Sequence, residues 1–201
     1  MSNIPENQNE NDTEEQCNCN ECQCNNCHCN SAKTKPENTL TNFQKVTEFN
    51  NAFGLTVHEK PQLDITQTDP KLVKLRLSLI EEETRELSEA IANNDFVEIV
   101  DALADILYVA YGAGSAFGVD LDKAFDIVHK SNMTKLCLTE ADAVRTVEWY
   151  KENETKYDSP AYRKSNCGKY WIVYNQSTGK VLKSIKYTPA KLTNFDELAL
   201  V

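Results

Sequence analysis

The chain has 201 residues and a formal net charge of −10, with 40% apolar and 26% charged residues, enough apolar material for one packed domain with appendages. The acidic balance lacks the basic footprint of a nucleic-acid binder. No run approaches the roughly 18 consecutive apolar residues of a membrane span, and no charged-then-apolar N-terminal segment leads to a small-residue cleavage site, so a cytoplasmic protein with no nucleic-acid or membrane partner is expected.

Residues 1–40 are rich in Asn, Gln and Glu and almost lack large apolar side chains, a composition that cannot offset ordering entropy and predicts a disordered tail. Residues 1–30 hold Glu6, Glu10, Asp12, Glu14, Glu15 and Glu21 but no Lys or Arg, and so carry −6 of the net charge. Within this tail a C-x-C-x-x pattern repeats through Cys17, Cys19, Cys22, Cys24, Cys27 and Cys29, with His28 among them. Such spacing in a cytosolic chain suggests thiolate ligands for a soft metal more than disulfides. It also fits a low-complexity expansion with adventitious metal affinity. It lacks the two well-separated C-x-x-C pairs of a structural zinc module.

Order is expected from Thr41. Phe43, Val46, Phe49 and Phe53 recur at helical spacing, and Gly54 is a plausible stop. A loop with Pro61 and Pro70 follows. Residues 71–93 read as a second helix, broken at Asn93-Asn94, and 95–116 as a third, apolar nearly all round. Gly118 punctuates it, and Asp120 can cap a fourth helix to about Lys130. Thr139 can cap a fifth. The character then changes: "KYWIVYNQSTGKVLKSIKY" places aromatic and β-branched residues around a polar turn ending in Gly179, a hairpin signal. A lone hairpin is marginal in water, so Trp171 and Val173 should pack on the helices. The expected fold class is therefore all-α, a bundle of four to five helices with a C-terminal β-hairpin appendage. The expected organisation is a tail over 1–40, a helical domain over 41–155 and an extension over 156–201.

The acids carry the chemistry. At about 100° per residue, Val73, Leu77, Ile80, Leu87 and Ile91 form an apolar face of the second helix. Glu83 projects inside that face, Glu86 lies at its edge and Glu82 just beyond, while Glu81, Arg85 and Glu89 point toward solvent. On the third helix Glu98, Asp101 and Asp105 share one narrow stripe. A helix apolar nearly all round is expected to be buried, so its stripe faces either a thin strip of water or something bound. Like charges at these spacings cost roughly 0.2–0.5 kcal/mol per pair, and an unpaired carboxylate out of water costs far more. A divalent cation would relieve both, and an all-oxygen donor set suits Mg²⁺ or Mn²⁺.

Glu83-x-x-Glu86 followed by Glu98-x-x-Asp101 on the next helix resembles the ExxE…ExxD signature of the all-α nucleoside triphosphate pyrophosphohydrolases. The flanks "EFNNAFG", "LIEEETREL", "DALADILYVAYG", "FGVDL" and "VHKSNMTK" look like the MazG-like branch with dUTPase-type members, over about Phe43 to Lys135. The resemblance implies a MazG-like four-helix arrangement completed by a homodimer. It implies cleavage of a (d)NTP, with dUTP a candidate, between the α and β phosphates. It makes Glu82, Glu86, Glu98 and Asp101 metal ligands, with Asp105 a further ligand or an orienting group. Glu83 would position or deprotonate the attacking water. Asn132 and Lys135, which recur with His129 at i, i+3 and i+6, become candidates for phosphate or sugar contacts. Phe49 and Phe53 are mostly core by spacing, and Asn50 or Asn51 could read a pyrimidine edge. Cys137 and Cys167 lack the paired His and Asp or Asn that a nucleophile needs. Two alternatives stand beside this reading: phosphoribosyl-ATP hydrolysis on the same fold, and a non-catalytic metal-binding or interaction protein that uses the Cys-rich tail.

Overall fold

The structure is a computed structural model, and it describes residues 39–200. The expected disorder of the tail and its six cysteines from Cys17 to Cys29 lie outside those residues. Along the described chain run α1 (Asn42–Ala52), α2 (Ile65–Thr68), α3 (Pro70–Ala92), α4 (Phe96–Phe117), α5 (Leu121–Met133) and α6 (Glu140–Asn153). Strands β1 (Pro160–Lys164) and β2 (Trp171–Asn175) follow.

Short polar side chains start these helices where the sequence places them. Thr41 closes a capping box with Gln44, Asp69 accepts from the Leu72 amide with Pro70 at the first turn, and Asp95, Asp120 and Thr139 cap α4, α5 and α6. Each satisfies amides that have no intrahelical partner. Gly118 ends α4 at φ 74°, a left-handed conformation that glycine adopts without a Cβ penalty. Asn94, at φ 54°, makes the sharp reversal between α3 and α4.

Helix α3 packs chiefly on α4 as an antiparallel hairpin, and α1 crosses α4. Phe43 meets Tyr111 at a tilt, and Phe49 meets Tyr108 edge-on. Small residues close the deep half of α4: Gly112, Ala113, Gly114, Ser115 and Ala116 are all buried. Below them Ile65 of α2, Leu72 and Ala116 form one apolar cluster. Helix α2 falls in the stretch expected to be loop, because four residues are too few to show a helical period.

The fold is all-α with a two-stranded antiparallel hairpin, Pro160 opposite Asn175 and Lys164 opposite Trp171. The polar turn ending in Gly179 also forms, but its far arm returns only as the bridge Tyr174↔Val181 and the Leu182 N–H···Val173 O bond of 2.9 Å. Strand β1, "PAYRK", carries little of the alternation that would have marked it. As expected, Val173 packs on a helix, within a core of Cys137, Ala143, Val147, Tyr150 and Leu182 with Trp171 and Tyr157 against it.

The expectation that α4 is buried all round is corrected. Its acid stripe turns toward α3 and its opposite face is open, with Val97 74% and Leu107 57% exposed, and Phe96, Val100 and Leu103 beside them. On α3, likewise, Leu72, Arg76 and Ala90 are buried whereas Leu77 and Ile91 are exposed. Each of these helices has two apolar faces, and the described residues cover only one.

Candidate active site

In α3, residues 72, 76, 79, 83, 86, 87 and 90 fall on one side of the helix at about 100° per residue, and this is the side whose Leu72, Arg76 and Ala90 are buried. Glu83 lies at its centre. In α4 the same construction puts Glu98, Asp101 and Asp105 in line with Ala102, Gly112 and Ala116, which are buried. The two helices thus draw Glu83 and Asp105 of their acidic stripes partly inside, leave the other four acids open to solvent, and turn large apolar side chains outward.

Glu83 and Asp105 are half-buried, while Glu82, Glu86, Glu98 and Asp101 keep access to solvent. The Glu83 Oε2 atom is buried without a hydrogen-bond partner among the described residues. Burial first, then the charges of Glu86, Asp105, Glu82 and Asp101, push the Glu83 carboxyl above its ordinary range. That ranking places carboxylates of both helices around one group. Among the described residues, no Lys or Arg forms an ion pair with any of the six acids; the ion pair on α3, Arg85 with Glu89, lies on the solvent side. Among the described residues, no group of three or more Asp, Glu, His or Cys side chains is drawn together closely enough to hold a metal ion. An open set of carboxylates with an unpartnered buried oxygen still fits Mg²⁺, which keeps several waters and takes few protein ligands.

The remaining candidates lie on other elements than α3 and α4. Helix α5 ends at Met133, so Lys135 lies in the following turn rather than on the helix with His129 and Asn132. It lines a cleft of about 800 Å³ with Trp149, Tyr157, Lys180 and Lys183, none of them on α3 or α4. His129 and Asn132 are exposed on α5. Phe49 and Phe53 stack at 4.2 Å rather than filling the core, and both are exposed. Asn50, not Asn51, is the buried member of its pair, with Nδ2 unpartnered among the described residues.

Arg76 escaped the sequence reading. It is buried, its Nε lacks a partner among the described residues, and burial lowers its pKa. A signal existed: Arg76 stands two turns before Glu83 on the same side of α3. Gly112 was missed with it, because a glycine inside a helix announces close approach only once the neighbour is known.

A family model described as phosphoribosyl-ATP pyrophosphohydrolase matches residues 46–132, from within α1 to the last turn of α5. An uncharacterized protein of Acanthamoeba polyphaga mimivirus is 32% identical, over 79% of this chain and 95% of the relative. The matched domain spans every acid of the α3–α4 seam, and with it the chain belongs to the all-α NTP pyrophosphohydrolase-like superfamily, whose domain is of the nucleotide pyrophosphohydrolase type.

Proposed function

We propose that the protein is a metal-dependent nucleoside triphosphate pyrophosphohydrolase that works as a homodimer, with dUTP among its candidate substrates. It would cleave between the α and β phosphates to release a nucleoside monophosphate and pyrophosphate. The observation that carries this reading is Glu83: a carboxyl at the centre of a buried helix face, one oxygen unpartnered, surrounded by the acids of two helices.

In this reading Glu82, Glu86, Glu98 and Asp101 hold Mg²⁺, or Mn²⁺ in its place, and Asp105 adds a ligand or orients one. The bound ions would neutralise the phosphates and lower the pKa of a water. Glu83 is set back from solvent among the acids that would hold the ions. Its free oxygen accepts the proton of the attacking water. The walls of α3 and α4 keep the acids at fixed spacing, which helices do better than loops. Asn132 and Lys135 enter as phosphate or sugar contacts through family likeness alone. The exposed apolar faces of α3 and α4 support the dimer, since monomers rarely leave so much large apolar surface open.

The test is pyrophosphate release across the common NTPs and dNTPs and phosphoribosyl-ATP, with Mg²⁺ or Mn²⁺. Release from at least one nucleotide, lost on chelation and in Glu83→Gln, is expected. No release from any of them would sink the reading, and release from phosphoribosyl-ATP alone would favour the alternative on the same fold.

A further inference from the structure

Asn50 is 2% and Arg76 6% exposed, and Asn50 Nδ2 and Arg76 Nε have no hydrogen-bond partner among the described residues. No carboxylate among the described residues forms an ion pair with Arg76. An uncompensated guanidinium in the interior is costly, and a fold keeps it only if something else supplies the acceptor. Both groups lie on helices that pack against α4. A Cβ at Gly112 would lie 3.1 Å from Arg76 Nη1 and 3.9 Å from Val46 Cγ1, and Val46 is one turn from Asn50 on α1. Gly112 is thus the space in which the guanidinium lies.

Arg76 and Glu83 stand on the same side of α3, two turns apart, or about 10 Å along the axis. The seam between the helices therefore has an acidic end around Glu83 and a deep end where unpaired donors collect. If the acids take the phosphates, as the proposed function has it and as this inference assumes, the nucleoside extends toward the donors. Arg76 is donor-only, and the unpartnered Asn50 atom is a donor as well. The complement is an acceptor able to take more than one N–H, and a carbonyl oxygen with two lone pairs is such a group. An amino group in its place would set donor against donor.

We propose that Arg76 and Asn50 are specificity-determining residues that receive a carbonyl oxygen of the nucleobase, so that the site selects keto bases over adenine. A site built to hydrogen-bond a substrate group rejects the analogue lacking it, because its own buried groups are then left unpaired.

The experiment compares wild type with Arg76→Met, Arg76→Lys and Asn50→Ala in Mg²⁺. It reads thermal unfolding alone and with UMP or AMP, and kcat/KM for UTP against ATP. Wild type should be stabilised by UMP and hardly by AMP, and should prefer UTP at least about tenfold. Arg76→Met should raise the Tm of the ligand-free protein, since it removes an uncompensated charge, yet lose the UMP shift and bring the UTP/ATP ratio near one, mostly through KM. Arg76→Lys should recover part of the preference, and Asn50→Ala should lose part. Equal response to UMP and AMP in wild type would overturn the inference. So would an Arg76→Met protein that is less stable and dissociates, for then the cation pairs with a second copy. Pyrophosphate release without base preference removes this inference and leaves the catalytic one. UMP selectivity without release does the opposite.

Discussion

Replacing Glu83 by Gln should make the metal-free protein more stable and the enzyme much slower. The Glu83 carboxyl is pushed up by its burial and by the charges of four neighbours, Glu86, Asp105, Glu82 and Asp101. On the solvent-screened scale of roughly 0.2–0.5 kcal/mol per like-charge contact, relieving them returns about 1 kcal/mol. For a chain of this size that is about 2–4 °C in Tm. The sign with pH follows from linkage. The folded-state pKa is raised above the ordinary 4.5, so the folded state holds this proton more tightly than the unfolded one. The resulting stabilisation is present below 4.5 and is lost as pH rises through the folded value. The advantage of the Gln variant should therefore grow with pH across that window and then level off. Thermal unfolding in EDTA over a pH series measures it, and pyrophosphate release in Mg²⁺ should fall about 10²–10⁴-fold, the scale of a lost general base. A Gln variant less stable than wild type at neutral pH, or a difference that ignores pH, would refute the placement of Glu83 among uncompensated acids.

Val100→Glu, on the open face of α4, should convert a dimer to monomer in sedimentation; a wild type that is already monomeric would remove the dimer proposal. Gly118→Ala forces a left-handed residue and drives a Cβ into the Lys60 carbonyl; it should lower Tm by about 4 °C or more, from strain of at least about 1–2 kcal/mol. Asp142 is buried, with Lys186 Nζ donating at 2.8 Å and Arg145 on its other oxygen, and these hold its carboxyl down to about 2 from an ordinary 3.8. Because that pKa is depressed, its stabilisation is present above pH 3.8 and is lost as pH falls through about 2. Asp142→Asn should accordingly lower Tm by several degrees at neutral pH, with the gap closing on acidification through that interval. Removing residues 1–38 should leave pyrophosphate release intact and abolish thiophilic-metal binding, read by a zinc or cadmium titration.

The legible part of this protein is what local physics writes. Asp120 and Thr139, the two caps read from the sequence, cap α5 and α6 because a side-chain oxygen near free amides works the same in any fold. The acids at 83 and 86 and at 98, 101 and 105 share stripes because a helix fixes their angles before it packs. What the sequence could not determine was which of two apolar faces on α3 and α4 turns inward. Periodicity marks an apolar face but not its neighbour, so Leu77, Ile91, Val97 and Leu107 read as core and stand exposed. Arg76 and Gly112 were likewise invisible, since an arginine in an apolar stripe and a glycine in a helix gain meaning only from contact with each other. The tertiary structure alone decided that Glu83 and Asp105 are drawn partly inside while the other acids stay open, and that the unmatched donors of Arg76 and Asn50 are buried. Burial is a relation between elements distant in sequence, and a local pattern cannot state which element supplies the cover.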